Sequence, residues 1–315
     1  MKGGNSLIFS DVTSKYLDFI KLKNKPQSFR TIKNLIVNYL EPFFKDKKIQ
    51  NITAEDYLNF QISIEKQKFS FAYKKNLHFC AVEFFNYCIK FDYIEKNVAS
   101  AVGNFKNNYQ IEKKVDFFTL EEFNKFINVA DNTVYKILFD VLFFTGIRIG
   151  EALALTFEDF NNDYLTINKT ISKEFYNGKR AVTLPKTKKS IRTILIDSKL
   201  SEEINALHEY YNKTFNCVNQ NFYIFGGIKP LSNTTVERYK NKYCDLANVK
   251  RIRIHDFRHS HATLLISNNV PISAVTERLG HSNISTTLNV YTHFVKEDEK
   301  RVINTLNSLR QLPNV

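Results

Sequence analysis

Carboxylates are the scarce charge in this chain. Asp and Glu number 32 against 45 Lys and Arg, a formal charge of +13 with an isoelectric point near 9.4. A basic balance favours polyanionic partners, nucleic acid or anionic lipid. The lipid option has little behind it. No apolar run approaches the roughly 18–20 residues of a membrane-spanning helix, and the N-terminus lacks a charged-then-apolar signal pattern. A cytoplasmic protein with no membrane partner is expected. Cysteine is sparse too: there are four, and no CxxC pair. That excludes an ordinary zinc framework, and a disulfide scaffold does not suit a chain of this size. Cys80 and Cys88 fall in "LHFCAVEFFNYCIKF", where Leu77, Ala81, Phe84, Phe85 and Cys88 recur at helical spacing, so both thiols read as small core residues. Cys217 and Cys244 stand alone, and neither an internal repeat nor a low-complexity segment is visible.

What is present is globular: 43% hydrophobic and 14% aromatic residues over 315 positions, a length that fits about two domains. Residues 1–102 read as a helical bundle. In "RTIKNLIVNYLEPFF", Ile32, Leu35, Ile36, Tyr39, Leu40 and Phe43 form one apolar stripe. Further helices are expected near 10–23, 53–66 and 70–91, the segment at 53–66 opening on the capping-type start "TAED". Lys21, Lys23, Lys25, Arg30 and Lys33 gather around one loop and helix start in "KLKNKPQSFRTIK"; they are either a solvated face or a set of phosphate contacts. Residues 103–115, polar and aperiodic, read as a linker, followed by the capping box "TLEE". The remainder, 116–315, reads as mainly α with a small antiparallel β-sheet, its strands drawn from "YLTINKTI" and "AVTLPKTKKSIRTILI" with a polar turn around Thr187 to Ser190.

The chemistry gathers in this second part. "HDFRHSHATLL" offers His255 and His259 at i, i+4, a metal-like spacing, but Asp256 stands where a metalloprotease needs Glu, and no further ligand completes the set. His255 and Arg258, at i, i+3, suit a phosphodiester better. A guanidinium forks onto two non-bridging oxygens, and an imidazole moves a proton near neutral pH. Arg148 follows a Thr-Gly turn in "FFTGIRIGEALAL", where Glu151 is also its natural ion-pair partner. Lys186 lies in "LPKTKKSIRTI", with Lys188 and Lys189 close by, and "RLGHSNISTTLNVYTHF" adds His281 and Tyr291. Two arginines, a lysine, two histidines and a tyrosine, with no carboxylate pair for Mg²⁺, suggest metal-free chemistry on a phosphate, and Tyr291 is the natural nucleophile among them.

Taken together, "TGIRIGEAL", the lysine-rich "KTKKS", "HDFRHSHATLL" and "LGHSNISTTLNVYTH" resemble the tyrosine recombinase or phage integrase family. The resemblance is close over 116–295 and general over the first hundred residues, as that family's core-binding domain. It implies a site-specific DNA recombinase, of a mobile element or phage, that works through a 3′-phosphotyrosyl intermediate without metal, ATP or other cofactor. It implies roles: Tyr291 as nucleophile, Arg148, Arg258 and His281 on the scissile phosphate, Lys186 or its rival Lys188 as general acid, and His255 assisting proton transfer. His259 and His261 read as fold or DNA-backbone contacts. The expected partners are double-stranded DNA with inverted-repeat core sites and further copies of the chain, a dimer per site and a tetramer in the synapse. A directionality factor is left open, and the tail "KEDEKRVINTLNSLRQL" is expected to dock on a neighbouring subunit or on its own domain. The alternatives are a Xer-like resolvase of the same chemistry, a type IB topoisomerase, and an inactive DNA-binding accessory protein. Many integrases carry an additional N-terminal domain for arm-type sites. Both a simple two-domain recombinase and a piece of a longer chain accord with these residues.

Overall fold

A computed structural model describes residues 7–106, 116–176, 179–183, 190–215 and 221–280. The chain divides into two compact units, Met1–Glu112 and Lys113–Val315.

The first unit is helical: α1 (Phe9–Lys23), α2 (Pro26–Leu35), a π-helical turn (Ile36–Leu40), α3 (Glu41–Phe44), α4 (Ala54–Glu65), α5 (Phe71–Lys90) and the short α6 (Val98–Val102). The expected capping start is present, with the Thr53 hydroxyl accepting from the Asp56 N–H while the Asp56 carboxylate accepts from that of Thr53. The stripe expected from Ile32 to Phe43 crosses a π turn just before Pro42, which has no N–H to donate into the preceding turn; the wider turn leaves Phe43 exposed and puts Phe44 in the core in its place. α5 carries the core: Phe84 lies 4.7 Å from Phe9, and Cys80 and Cys88 are buried beside it, where burial pushes both thiols up to about 12. A polar pair sits inside this core, Tyr57 Oη and His78 Nδ1 being 2.9 Å apart.

In the second unit α7 (Leu120–Asn128) starts on the Thr119–Glu122 capping box, and α8 (Thr133–Thr145) is buried almost all round, as its near-continuous apolar run requires. α8 contacts α12 (Asp256–Ser267) and α10 (Ser198–Phe215). Phe123 stacks on Phe143 at 3.8 Å, and Phe139 on Phe257 at 5.5 Å. α9 (Ile149–Ala152), α11 (Asn233–Leu246) and α13 (Ile272–Leu279) complete the described helices.

The strands pair differently from expectation. "YLTINKTI" is not one strand but the end of one and the start of another, β2 (Tyr164–Ile167) and β3 (Thr170–Tyr176). β2 pairs with β1 (Phe160–Asn161) across Asn162 and Asp163, whose φ values of 43° and 67° suit a tight two-residue hairpin. β3 pairs with β4 (Lys179–Thr183), whereas β5 (Arg192–Leu195) returns to pair with β2. The two halves of "AVTLPKTKKSIRTILI" therefore belong to separate sheets and do not form a hairpin with each other.

Candidate active site

Three of the six expected catalytic residues, Arg148, His255 and Arg258, lie within the described residues. Lys186, its rival Lys188, His281 and Tyr291 lie outside them, as do His293, the tail and most of the expected linker.

The site is built on the end of α8. Gly146 closes that helix in the left-handed region, at φ 66°, which turns the chain so that Arg148 caps α9. Gly146 also allows a close approach. A Cβ there would meet His261 Cδ2 at 2.6 Å and Leu279 Cδ2 at 2.7 Å, so any side chain collides with two elements at once. Arg148 Nη1 donates to Glu151 Oε1 at 2.9 Å and its backbone N–H to Oε2 at 3.0 Å. The expected ion pair with Glu151 is therefore present. Burial alone would raise the Glu151 carboxyl, but Arg192 and the donors of Arg148 outweigh it and hold the group below the usual carboxylate range.

Arg258 is 2% exposed. Its Nη1 donates to the Gly146 carbonyl at 2.9 Å and its Nη2 to the Leu279 carbonyl at 2.6 Å, so the guanidinium is held between the end of α8 and the end of α13. His255 precedes α12 by one residue and keeps an open edge to solvent. Burial of its other sides, then the nearby Arg258 and Arg148 guanidiniums, push its pKa below 6.5. Both cations act on this one imidazole, which places Arg148, Arg258 and His255 in a common electrostatic environment.

The other two histidines of the motif differ from each other. His259 lies beside His255, with ring centroids 5.3 Å apart and edge to face, and burial lowers it to about 4. Among the described residues, no group of three or more His, Cys, Asp or Glu is placed to hold a metal ion. His261 is part of the fold: its ring is buried, Nδ1 donates to the Phe143 carbonyl at 2.9 Å, and Nε2 accepts from Arg278 Nε at 3.3 Å. That tautomer is neutral, in keeping with a pKa pushed down to about 3 by burial and by Arg278. The start of α12 is fixed by Arg253, whose guanidinium forks onto Asp256, and by Ser260, which accepts the Phe118 N–H at 2.9 Å.

Sequence reasoning passed over Arg192 and Arg278. Arg192 Nη2 donates to Glu151 Oε2 at 3.0 Å. Arg278 donates to His261 and to the carbonyls of Leu195 and Phe144. A signal for Arg192 did exist: Arg192, Ile194 and Ile196 alternate, and both isoleucines are buried, so an arginine occupies the inward row of a strand. Lys21, Lys23, Lys25, Arg30 and Lys33 of the first unit are all exposed and none of the five joins an ion pair among the described residues; Lys23 Nζ lies 4.5 Å over the Phe19 ring.

Residues 114–298 match the phage integrase family, and residues 8–64 match the phage integrase N-terminal SAM-like domain. The ICEBs1 integrase of Bacillus subtilis is 30% identical over 96% of this chain and 84% of its own length. A XerC-like tyrosine recombinase of Caldanaerobacter subterraneus is 31% identical over 98% and 86%. Among solved structures, the Tn1549 transposon integrase in complex with a circular intermediate DNA has a TM-score of 0.73 at 18% identity, covering 94% of this chain and 100% of that one. A lambda integrase dimer bound to a COC′ core site has a TM-score of 0.67 at 16% identity, covering 91% and 77%. At such identities these structures establish the fold.

Proposed function

This chain belongs to the phage integrase family and is a tyrosine recombinase, and on that premise we propose which of its residues cut and rejoin DNA, and how. Tyr291 Oη attacks the scissile phosphate, forming a 3′-phosphotyrosyl bond as the bond to the 5′-oxygen breaks. Lys186, or its rival Lys188, gives a proton to that departing oxygen. Arg148, Arg258 and His281 stabilise the charge that grows on the non-bridging oxygens. A 5′-hydroxyl of a partner strand then reverses the step. Each exchange replaces one phosphodiester by another, so neither ATP nor a metal is required by the energetics.

The observation that carries this reading is geometric: Arg258 Nη1 donates to the Gly146 carbonyl, two residues before Arg148, whose own guanidinium is anchored on Glu151, and both cations add to burial in lowering the pKa of His255. Anchored cations need no reorganisation when the pentavalent state forms, which is where electrostatic catalysis gains most. The lowered pKa leaves His255 neutral at pH 7, so it can accept the tyrosine proton, and help is needed because a phenol ordinarily titrates near about 10.

We assign DNA contact in the first unit to Lys21, Lys23, Lys25, Arg30 and Lys33, whose exposure and lack of ion pairs among the described residues suit phosphate binding. Residues 1–102 form the core-binding domain in this reading and 116–315 the catalytic domain. The partners are duplex DNA with inverted-repeat core sites and further copies of the chain, two per site and four per synapse. Among the described residues, no helix is long and apolar enough to cross a membrane. We place the protein in the cytoplasm, with its DNA.

Incubation with sheared host DNA, denaturation and sequencing of covalently attached fragments tests the proposal. Enrichment of one short inverted-repeat site, lost in Tyr291→Phe, is expected. Attachment that persists in Tyr291→Phe overturns the assignment.

A further inference from the structure

We propose that Arg192 is a positioning residue that sets three catalytic segments against one another through a single buried guanidinium. The inference rests on the roles given above to Arg148, Arg258 and Lys186 or Lys188. The Arg192 side chain is 8% exposed and spends its donors in three directions. Nη2 reaches Glu151 Oε2 at 3.0 Å, the carboxylate that fixes Arg148 by both its guanidinium and its N–H. Nε reaches the Arg278 carbonyl at 2.8 Å, one residue before the Leu279 carbonyl that holds Arg258 and three before His281. Nη1 reaches the carbonyl of Ser190 at 3.1 Å, and Ser190 follows Lys188 by two positions and Lys186 by four in the sequence.

Stability alone is a poor reason for an arginine here. Its row of the strand is otherwise isoleucine, and a buried ion pair is commonly no better for stability than apolar residues of the same volume. Glu151 would not be orphaned without Arg192, because Arg148 pairs with it independently. The placement even has an electrostatic cost: after burial, Arg192 is the main charge that disfavours protonation of Arg278. What the guanidinium alone supplies is a rigid planar fork with donors at fixed angles; a lysine ammonium, a point charge on a flexible stem, cannot hold the same three acceptors.

The test uses the full chain and a nicked duplex whose sequence is that of the fragment captured covalently by the unaltered protein. Arg192→Lys is compared with the unaltered protein in duplex affinity and in the single-turnover rate of covalent attachment. The same duplex carrying sulfur in place of the bridging 5′-oxygen is run alongside, since a thiolate departs without a proton from the lysine. Affinity within about threefold is expected, with attachment about 30- to 100-fold slower and roughly tenfold of that deficit recovered on the sulfur duplex. Should Arg192→Lys fail to fold, Arg192→Leu, which extends the apolar row and leaves Glu151 paired with Arg148, is expected to show the same split. Attachment within about threefold of the unaltered rate in either folded variant overturns the inference, as does a loss that tracks affinity and is identical on both duplexes. If the unaltered protein forms no Tyr291-dependent adduct, the recombinase mechanism itself fails and takes this inference with it; if it does, a normal rate in the variants removes Arg192 alone.

Discussion

Replacing Gly146 with alanine places a methyl carbon 2.6 Å from His261 Cδ2 and 2.7 Å from Leu279 Cδ2. Neither neighbour yields readily. The imidazole is bonded at both nitrogens, to Phe143 and Arg278, and Leu279 is 1% exposed. Left-handed backbone costs an L-residue about 1–2 kcal/mol, and overpacking a tight core about 1–3 kcal/mol more, so Gly146→Ala is expected to lose about 2–5 kcal/mol. Gly227 provides the control within the same unit. It also has a positive φ, 70°, but a Cβ there finds its nearest atoms at 3.7 Å and 3.9 Å, ordinary contact distance. Gly227→Ala is therefore expected to lose only the conformational part, about 1–2 kcal/mol. The site should register the difference, because the Gly146 carbonyl is an acceptor for Arg258 and a displacement near 1 Å at a catalytic group costs about a hundredfold in rate. Urea unfolding of both variants, with covalent attachment measured in parallel, checks this. Equal losses in the two variants, or unimpaired attachment by Gly146→Ala, would refute the reasoning.

Other expectations concern charge. Burial, then Glu203, raises the Asp140 carboxyl to about 7 against Lys199 and Lys136, so the folded state binds the proton more tightly and loses stability as pH rises from about 4 to 7. Asp140→Asn should then stabilise on the order of 4 kcal/mol at pH 8 and little at pH 4; a gain independent of pH would count against that account. His261 and His259 have the opposite sign. Lowered to about 3 and about 4, they contribute stability that is complete above the ordinary histidine pKa and lost as pH falls below it, at up to about 1.4 kcal/mol per pH unit for each. Urea midpoints of the unaltered protein and His261→Gln at pH 7, 6 and 5 measure the slope, which should be shallower in the variant. Neutralising Lys21, Lys23, Lys25, Arg30 and Lys33 together should flatten the dependence of duplex affinity on salt by about four released counterions, and an unchanged slope would return those residues to the status of a solvated face.

Much of the first unit was legible because its signals are local. The stripe from Ile32 to Leu40 and the Thr53 capping box, like the Thr119 box in the second unit, each depend on neighbours within a few positions. The sheets were not, since alternation identifies a strand and says nothing of its partner. The pairing turned on Asn162 and Asp163 accepting left-handed backbone, and on β5 crossing back to β2. Of the proposed site residues, Arg148, His255 and Arg258 were singled out from motif spacing and family resemblance, and the structure adds what anchors each of the two arginines. Arg192 escaped notice because it follows a run of lysines and reads as one more surface cation. Its alternation with Ile194 and Ile196 hinted at an inward position, which the register fixes by setting it opposite Ile167, on the buried side of β5.

The central claim is that the phenolic oxygen of Tyr291 becomes bonded to DNA, and peptide mapping of the adduct tests it most directly. After nuclease trimming and proteolysis, mass spectrometry should find a 3′-phosphonucleotide on the peptide that contains Tyr291, while the released strand carries a free 5′-hydroxyl that a kinase can label without prior phosphatase treatment. A nucleotide on any other residue, or a released strand bearing a 5′-phosphate, would contradict the account.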